Sequence, residues 1–191
     1  MRRNLTVGLG ILIALVAAVA AISAGRTSNQ SGDRHVSVDE AAGQQRSAAG
    51  NGEPGSTVAT FTATDVDGRG VHVRHGKPGA LFFFAGWCGS CIAEASALDR
   101  VERELGTRVA ITAISPDPSD SIEAIRRFRR NAGAPRYAFV WDSAGTLGTQ
   151  FAVRALATTS VYDADGKVVF RDAAVTDAQT LRKAFRKAGV Q

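Results

Sequence analysis

From Thr57 onward, short apolar runs separated by turn residues alternate with segments of helical period, the pattern of a mixed α/β domain. Val58 to Val66 and Val71 to Arg74 alternate apolar and polar positions around Asp67-Gly68-Arg69-Gly70, which predicts a β-hairpin. His72 and Arg74 fall on its wetter face, and His75 in the turn that follows. Ala80 to Ala85 is apolar without a break, as expected of a fully buried central strand. A helix should run from the next turn to about Leu105. A second buried strand is expected over Val109 to Ile114, and a helix begun by Ser119 or Asp120 over Ser119 to Asn131. Tyr137 to Trp141 reads as a strand. Thr158 to Tyr162 and Lys167 to Arg171 form a second hairpin around Asp163-Ala164-Asp165-Gly166, and Asp177 to Ala188 makes the last helix.

The first 56 residues follow a different pattern. Arg2 and Arg3 precede eighteen uncharged residues, Leu5 to Ile22, which as a helix would span about 27 Å, close to the hydrocarbon thickness of a bilayer. This predicts an export segment over residues 1–23. An uncleaved anchor is favoured by its length, and a cleaved signal peptide remains open through the small residues at Ala21 to Ser23. Positive charge ahead of the segment predicts that the rest of the chain lies outside the cytoplasm. Residues 24–56 are rich in Ser, Gly, Gln, Asn and Ala and read as a flexible linker, which leaves 57–191 as one folded domain. Lys and Arg total 23 against 18 Asp and Glu across 191 residues, a net charge of +5 that is too mild and too dispersed to indicate nucleic acid. Arg126, Arg127, Arg129 and Arg130, with Arg182, Lys183, Arg186 and Lys187, are expected to be solvated helix faces.

Only two cysteines occur, so a disulfide scaffold is excluded and their spacing carries the information. Gly86-Trp87-Cys88-Gly89-Ser90-Cys91 sits between the buried strand and the predicted helix. Two cysteines separated by two residues at a helix start can close a small disulfide near unpaired amides and the positive end of the helix dipole, which stabilises the first thiolate. Cys88 is therefore the expected attacking residue. Cys91, one turn later and more buried, would resolve the mixed disulfide. A structural staple fits poorly because so small a loop removes little entropy from the unfolded chain. A zinc site fits poorly because no second cysteine pair completes it, and neither metal nor cofactor is expected.

The strand Phe82-Phe83-Phe84-Ala85, then Trp87-Cys88-Gly89-Ser90-Cys91 and Glu94, resemble the TlpA/ResA-like branch of the thioredoxin superfamily. Phe151-Ala152-Val153-Arg154, Thr158-Thr159 and Tyr162 to Val169 are similar to its C-terminal signature, so the likeness spans about residues 57 to 189. The resemblance implies a thioredoxin-like α/β fold: a central mixed sheet flanked by helices, with an N-terminal β-hairpin and a central strand-helix insertion. It also implies an exported or membrane-tethered thiol-disulfide oxidoreductase, active in cytochrome c maturation or on other protein disulfides and recharged by a membrane electron carrier of the CcdA or DsbD type. An oxidant of exported proteins and a non-catalytic redox sensor remain alternatives.

The chain departs from that pattern at several positions. Ala157 stands before Thr158 where the family usually has a cis-proline, so a trans bond or a reshaped loop is expected. Ser90 replaces a frequent proline and brings a different donor near the sulfur. Phe82 occupies a place where thioredoxins often carry an acidic group, leaving Glu94 as a candidate proton acceptor for Cys91 or, equally, a surface or capping carboxylate. Trp87 is expected to cover the disulfide and offer substrates an apolar contact. Ser96 falls where relatives often have a helix-kinking proline, which predicts a straighter helix. A Sco-type copper carrier would want three residues between its cysteines and a histidine far downstream, but the last one is His75. A peroxiredoxin would place threonine where Ala85 stands.

Overall fold

The computed structural model describes residues 37–38 and 52–191, so the apolar run Leu5 to Ile22 and most of the segment expected to be a linker lie outside the described residues. Three strands, β1 (Ser37–Val38), β2 (Phe61–Thr64) and β3 (Gly70–Val73), form a small antiparallel sheet. The hairpin appears where alternation predicts it. The short strand β1, inside the segment read as a linker, adds to its edge by pairing with Phe61 and Thr62.

The main sheet has the order β6-β5-β4-β7-β8, from β4 (Gly79–Phe83), β5 (Ala110–Ser115), β6 (Ala138–Trp141), β7 (Thr158–Tyr162) and β8 (Val168–Asp172). β4 pairs in parallel with β5 and β5 with β6, while β7 runs antiparallel to both β4 and β8. The central strand is buried along its whole length, as its unbroken apolar run requires. Its side chains alternate between two cores. Ala80, Phe82 and Phe84 face helices α1 (Cys91–Leu105), α2 (Ile122–Asn131) and α4 (Ala178–Lys187), where Leu98, Phe128 and Phe185 meet them. Leu81 and Phe83 face the other way, onto Phe61 of the hairpin and onto Leu147 and Phe151 in and after the short helix α3 (Thr146–Gln150).

Both edges of the main sheet are covered. Asp65 bridges to Val140 on β6, and Thr57 to Lys167 beside β8, so neither edge offers a long row of unpaired backbone groups. Arg171 closes the β8 side. Its guanidinium donates to Ser160 Oγ at 3.0 Å and to the carbonyls of Phe151 and Ala152, while its Nε lies 3.4 Å from Glu53 Oε1.

Two expectations need correction. Helix α2 begins at Ile122, its cap one or two residues past the expected Ser119 or Asp120, because Ser121 is the residue that accepts from Ala124 N at 3.1 Å. The basic helix faces are also not simply solvated. Arg126 donates to the Val66 carbonyl at 2.5 Å, Arg129 reaches Asp67 at 2.7 Å, and Arg182 grips Glu104 through two nitrogens. Arg127, Arg130, Lys183, Arg186 and Lys187 are exposed as expected.

Candidate active site

The topology gathers the site at one end of the sheet. β4 and β5 are parallel, so the segments that follow them leave on the same side, and β7 is antiparallel, so its start lies there too, with Thr158 opposite Phe83. The redox loop Phe84–Ser90, the segment Pro116–Ser121 and the turn ending at Ala157 therefore meet.

Cys88 and Cys91 form a disulfide with 5.4 Å between their Cα atoms. Cys88 is 7% exposed and Cys91 wholly buried, which leaves the first sulfur nearer to solvent. Cys91 opens the fifteen-residue helix α1, so the disulfide lies at its positive end. Ser90 Oγ is 3.5 Å from Cys88 Sγ; a disulfide sulfur has no proton, so the hydroxyl is the donor. Gly89 is exposed and nothing lies within 4 Å of where a Cβ would stand. Trp87 is 67% exposed, yet its indole is fixed by donating from Nε1 to Asp117 Oδ2 at 2.6 Å.

Asp117 and Asp120 were not legible as site residues, and both hold the redox loop. Asp117 also accepts from Ser119 N and Oγ, and its carbonyl accepts from Trp141 Nε1 at 3.0 Å. The bond from Trp87, followed by those from Ser119, keeps its carboxyl below the usual range. Asp120 is buried, and its Oδ2 accepts from Gly86 N at 2.7 Å and from Ser115 Oγ at 2.5 Å. A side chain at Gly86 would meet Asp120 Oδ1 at 2.6 Å, so glycine is required for this approach.

Glu94 is neither a surface nor a capping residue. It is fully buried on α1, and Oε1 accepts from Thr159 Oγ1 at 2.7 Å, while Oε2 has no hydrogen-bond partner. Burial pushes its carboxyl up to about 7, moderated by Thr159 and the neighbouring Thr176 and raised a little further by Asp172. Thr159 stands directly opposite Phe82 in the sheet. A buried carboxyl on α1 is thus tied to the strand that lies beside Phe82. Period-two alternation along β7 puts Thr159 on the helix side with Val161, which is the signal that could have found it.

Ala157 is buried and adopts φ of +61°, a left-handed conformation that costs an alanine on the order of 1 kcal/mol. The turn is therefore reshaped relative to one built on proline, which holds φ near −65°. Thr158 Oγ1 donates to the Ala155 carbonyl at 2.7 Å and so stabilises the turn without meeting the disulfide. Ser96 donates to the Ala132 carbonyl at 2.9 Å, and α1 runs through it unbroken.

Beside Trp87 a groove of about 340 Å³ opens between Pro116–Pro118 and Val153–Leu156. It adjoins a second hollow of about 510 Å³ that shares Pro116, Val153 and Arg154 and extends toward Gly145 and Thr149.

Residues 54–171 match the AhpC/TSA family. The ORF3 protein of a mercury resistance operon from Streptomyces lividans is 31% identical over 155 residues, covering 80% of this chain and 81% of that protein. The crystal structure of a thio-disulfide isomerase from Thermus thermophilus is similar at 30% identity with a TM-score of 0.60, over 73% of this chain and 99% of that one. A thiol:disulfide interchange protein, DsbE of Haemophilus influenzae, is 26% identical over 122 residues, covering 62% of this chain and 65% of that protein.

Proposed function

The chain belongs to the AhpC/TSA family, in the TlpA/ResA-like branch of the thioredoxin superfamily, and is a thiol-disulfide oxidoreductase; from that premise we propose that it reduces protein disulfides outside the cytoplasm through Cys88 and Cys91. The observation that carries this reading is the inequality of the two cysteines: Cys88 lies nearer to solvent beside exposed Trp87, whereas Cys91 is sealed at the start of α1.

In the reduced protein, Cys88 thiolate attacks one sulfur of the substrate disulfide and the other sulfur leaves as a thiolate. Cys91 then passes its proton to Glu94 and attacks Cys88 Sγ, displacing the second substrate sulfur. Two electrons have moved to the substrate and the Cys88–Cys91 disulfide remains. A membrane electron carrier of the CcdA or DsbD type would restore the dithiol by the reverse exchange. Residues 1–23 would hold the domain at the outer face of the membrane, with 24–56 as a tether, and cytochrome c maturation is the process that the family likeness offers for a reductant so placed. The name of the DsbE relative supports thiol-disulfide interchange.

Replacing Cys88 with serine is expected to abolish exchange, measured with insulin or a cytochrome-derived thiol peptide; full retained activity would sink the reading. The Cys88–Cys91 potential, measured in glutathione or dithiothreitol buffers, fixes the direction. A value near about −270 mV supports a reductant, and one near about −120 mV an oxidant of exported proteins. The reshaped turn at Ala157 favours one second reading, a redox-sensing module with poor turnover, which the same insulin assay separates from an enzyme.

A further inference from the structure

The groove beside Trp87 has a charge pattern that the exchange chemistry does not use. Trp87, Pro116, Pro118, Val153 and Leu156 make its walls largely apolar, and only Asp117 and Arg154 bring charge to it. Those two charges are not equivalent. Both oxygens of Asp117 are taken, by Trp87 and by Ser119. Arg154 is exposed, and among the described residues it forms no ion pair and no hydrogen bond. It also lines the adjoining hollow, so an extended chain leaving the disulfide past Pro116 would run along its guanidinium. Asp117 stays an anion held by neutral donors, so the groove carries one charge of each sign: the negative one is locked beside Trp87, and the positive one, at Arg154, is the one left free to meet a bound chain.

We propose that this groove takes the polypeptide flanking the target disulfide as an extended segment, and that Arg154 selects segments carrying a carboxylate a few residues from the reacting cysteine. The inference rests on the exchange reading above and deepens it by naming a class of substrate: protein disulfides with acidic flanks. Apolar walls supply contact without directional demands, and the free guanidinium supplies the discrimination.

The test uses the purified full chain and three fluorogenic disulfide peptides that differ only in carrying glutamate, serine or lysine two to four residues from the cysteine. The expected kcat/KM for the glutamate peptide exceeds that for the lysine peptide by about fivefold at low salt, and the gap closes as ionic strength rises. Arg154→Ser should remove the preference and Arg154→Glu reverse it, with the effect in KM more than in kcat and no change in melting temperature, since Arg154 holds nothing in the fold. Turnover with no charge preference, or a preference that survives Arg154→Glu, overturns the groove assignment and leaves the exchange reading standing. No turnover of any peptide overturns both.

Discussion

Glu94 on α1 and Asp117 in the segment between β5 and α2 each bring a carboxyl to the neighbourhood of the redox loop, and their surroundings drive the two apart. Glu94 is fully buried, receives one hydrogen bond from Thr159 and leaves Oε2 unpartnered, so its carboxyl rises to about 7. Asp117 is only partly covered and accepts from three donors, so its carboxyl falls below the usual range. Donor count against desolvation decides which carboxyl can exchange a proton at neutral pH. In the proposed exchange the helix side of the site serves proton transfer, while the β5–α2 side holds geometry.

The largest expected effect comes from breaking the helix side. Glu94→Gln keeps the shape and an acceptor for Thr159 but cannot take a proton, and exchange near neutral pH should fall by about a hundredfold. The rising limb of the rate near pH 7 should vanish with it. Stability should move the other way. Folded Glu94 keeps its proton to about pH 7, whereas the unfolded chain releases it near the ordinary 4.5. Between those values the folded state binds more protons, so stability falls as pH rises and the loss is complete above about 7, on the order of 3 kcal/mol. The Gln variant should therefore melt higher than the parent at pH 8 and match it near pH 4. A rate profile unchanged by the substitution would remove Glu94 from the chemistry.

A smaller effect is expected on the holding side. Asp120→Ala leaves the Gly86 amide and the Ser115 hydroxyl without their acceptor, a loss of about 1–3 kcal/mol in urea denaturation. Asp120→Asn retains an oxygen for Gly86 and should recover part of it. Neither variant should move the limb near pH 7. If Asp120→Ala did shift it, the division of labour between the two sides would be wrong.

The order of elements and the Cys88–Cys91 pairing were legible in the sequence because both are local: alternation fixes strand faces, and two intervening residues fix the cysteine geometry. The holding side was not. Ser119, Asp120 and Ser121 are three successive residues that can each start a helix, and only the parallel pairing of β5 with β4 decides that Asp120 turns inward to Gly86 while Ser121 caps. The partners of Arg126 and Arg129 were hidden for the same reason, since Asp67 lies 62 residues before Arg129 and meets it only after the hairpin docks on β6. Glu94 was visible as a candidate. Its burial, which sets its chemistry, depended on Thr159 arriving from β7.

The two glycines that flank Trp87 and Cys88 give the smallest effect and the finest form of the comparison. Gly86 is pressed against the holding side, where a Cβ would meet Asp120 Oδ1 at 2.6 Å and the Ala124 carbonyl carbon at 3.0 Å. Gly89 faces open space and is not in a left-handed conformation, so alanine fits there without steric or backbone strain. Gly89→Ala should change stability by less than about 0.5 kcal/mol, and peptide disulfide exchange by less than about twofold. Gly86→Ala, measured beside it, should be at least as damaging as Asp120→Ala because it dislodges the same carboxylate. A Gly89→Ala protein that keeps its melting temperature but loses exchange would mean that substrate backbone lies directly over Gly89. The docking face would then extend across the start of α1 as well as along the groove past Pro116.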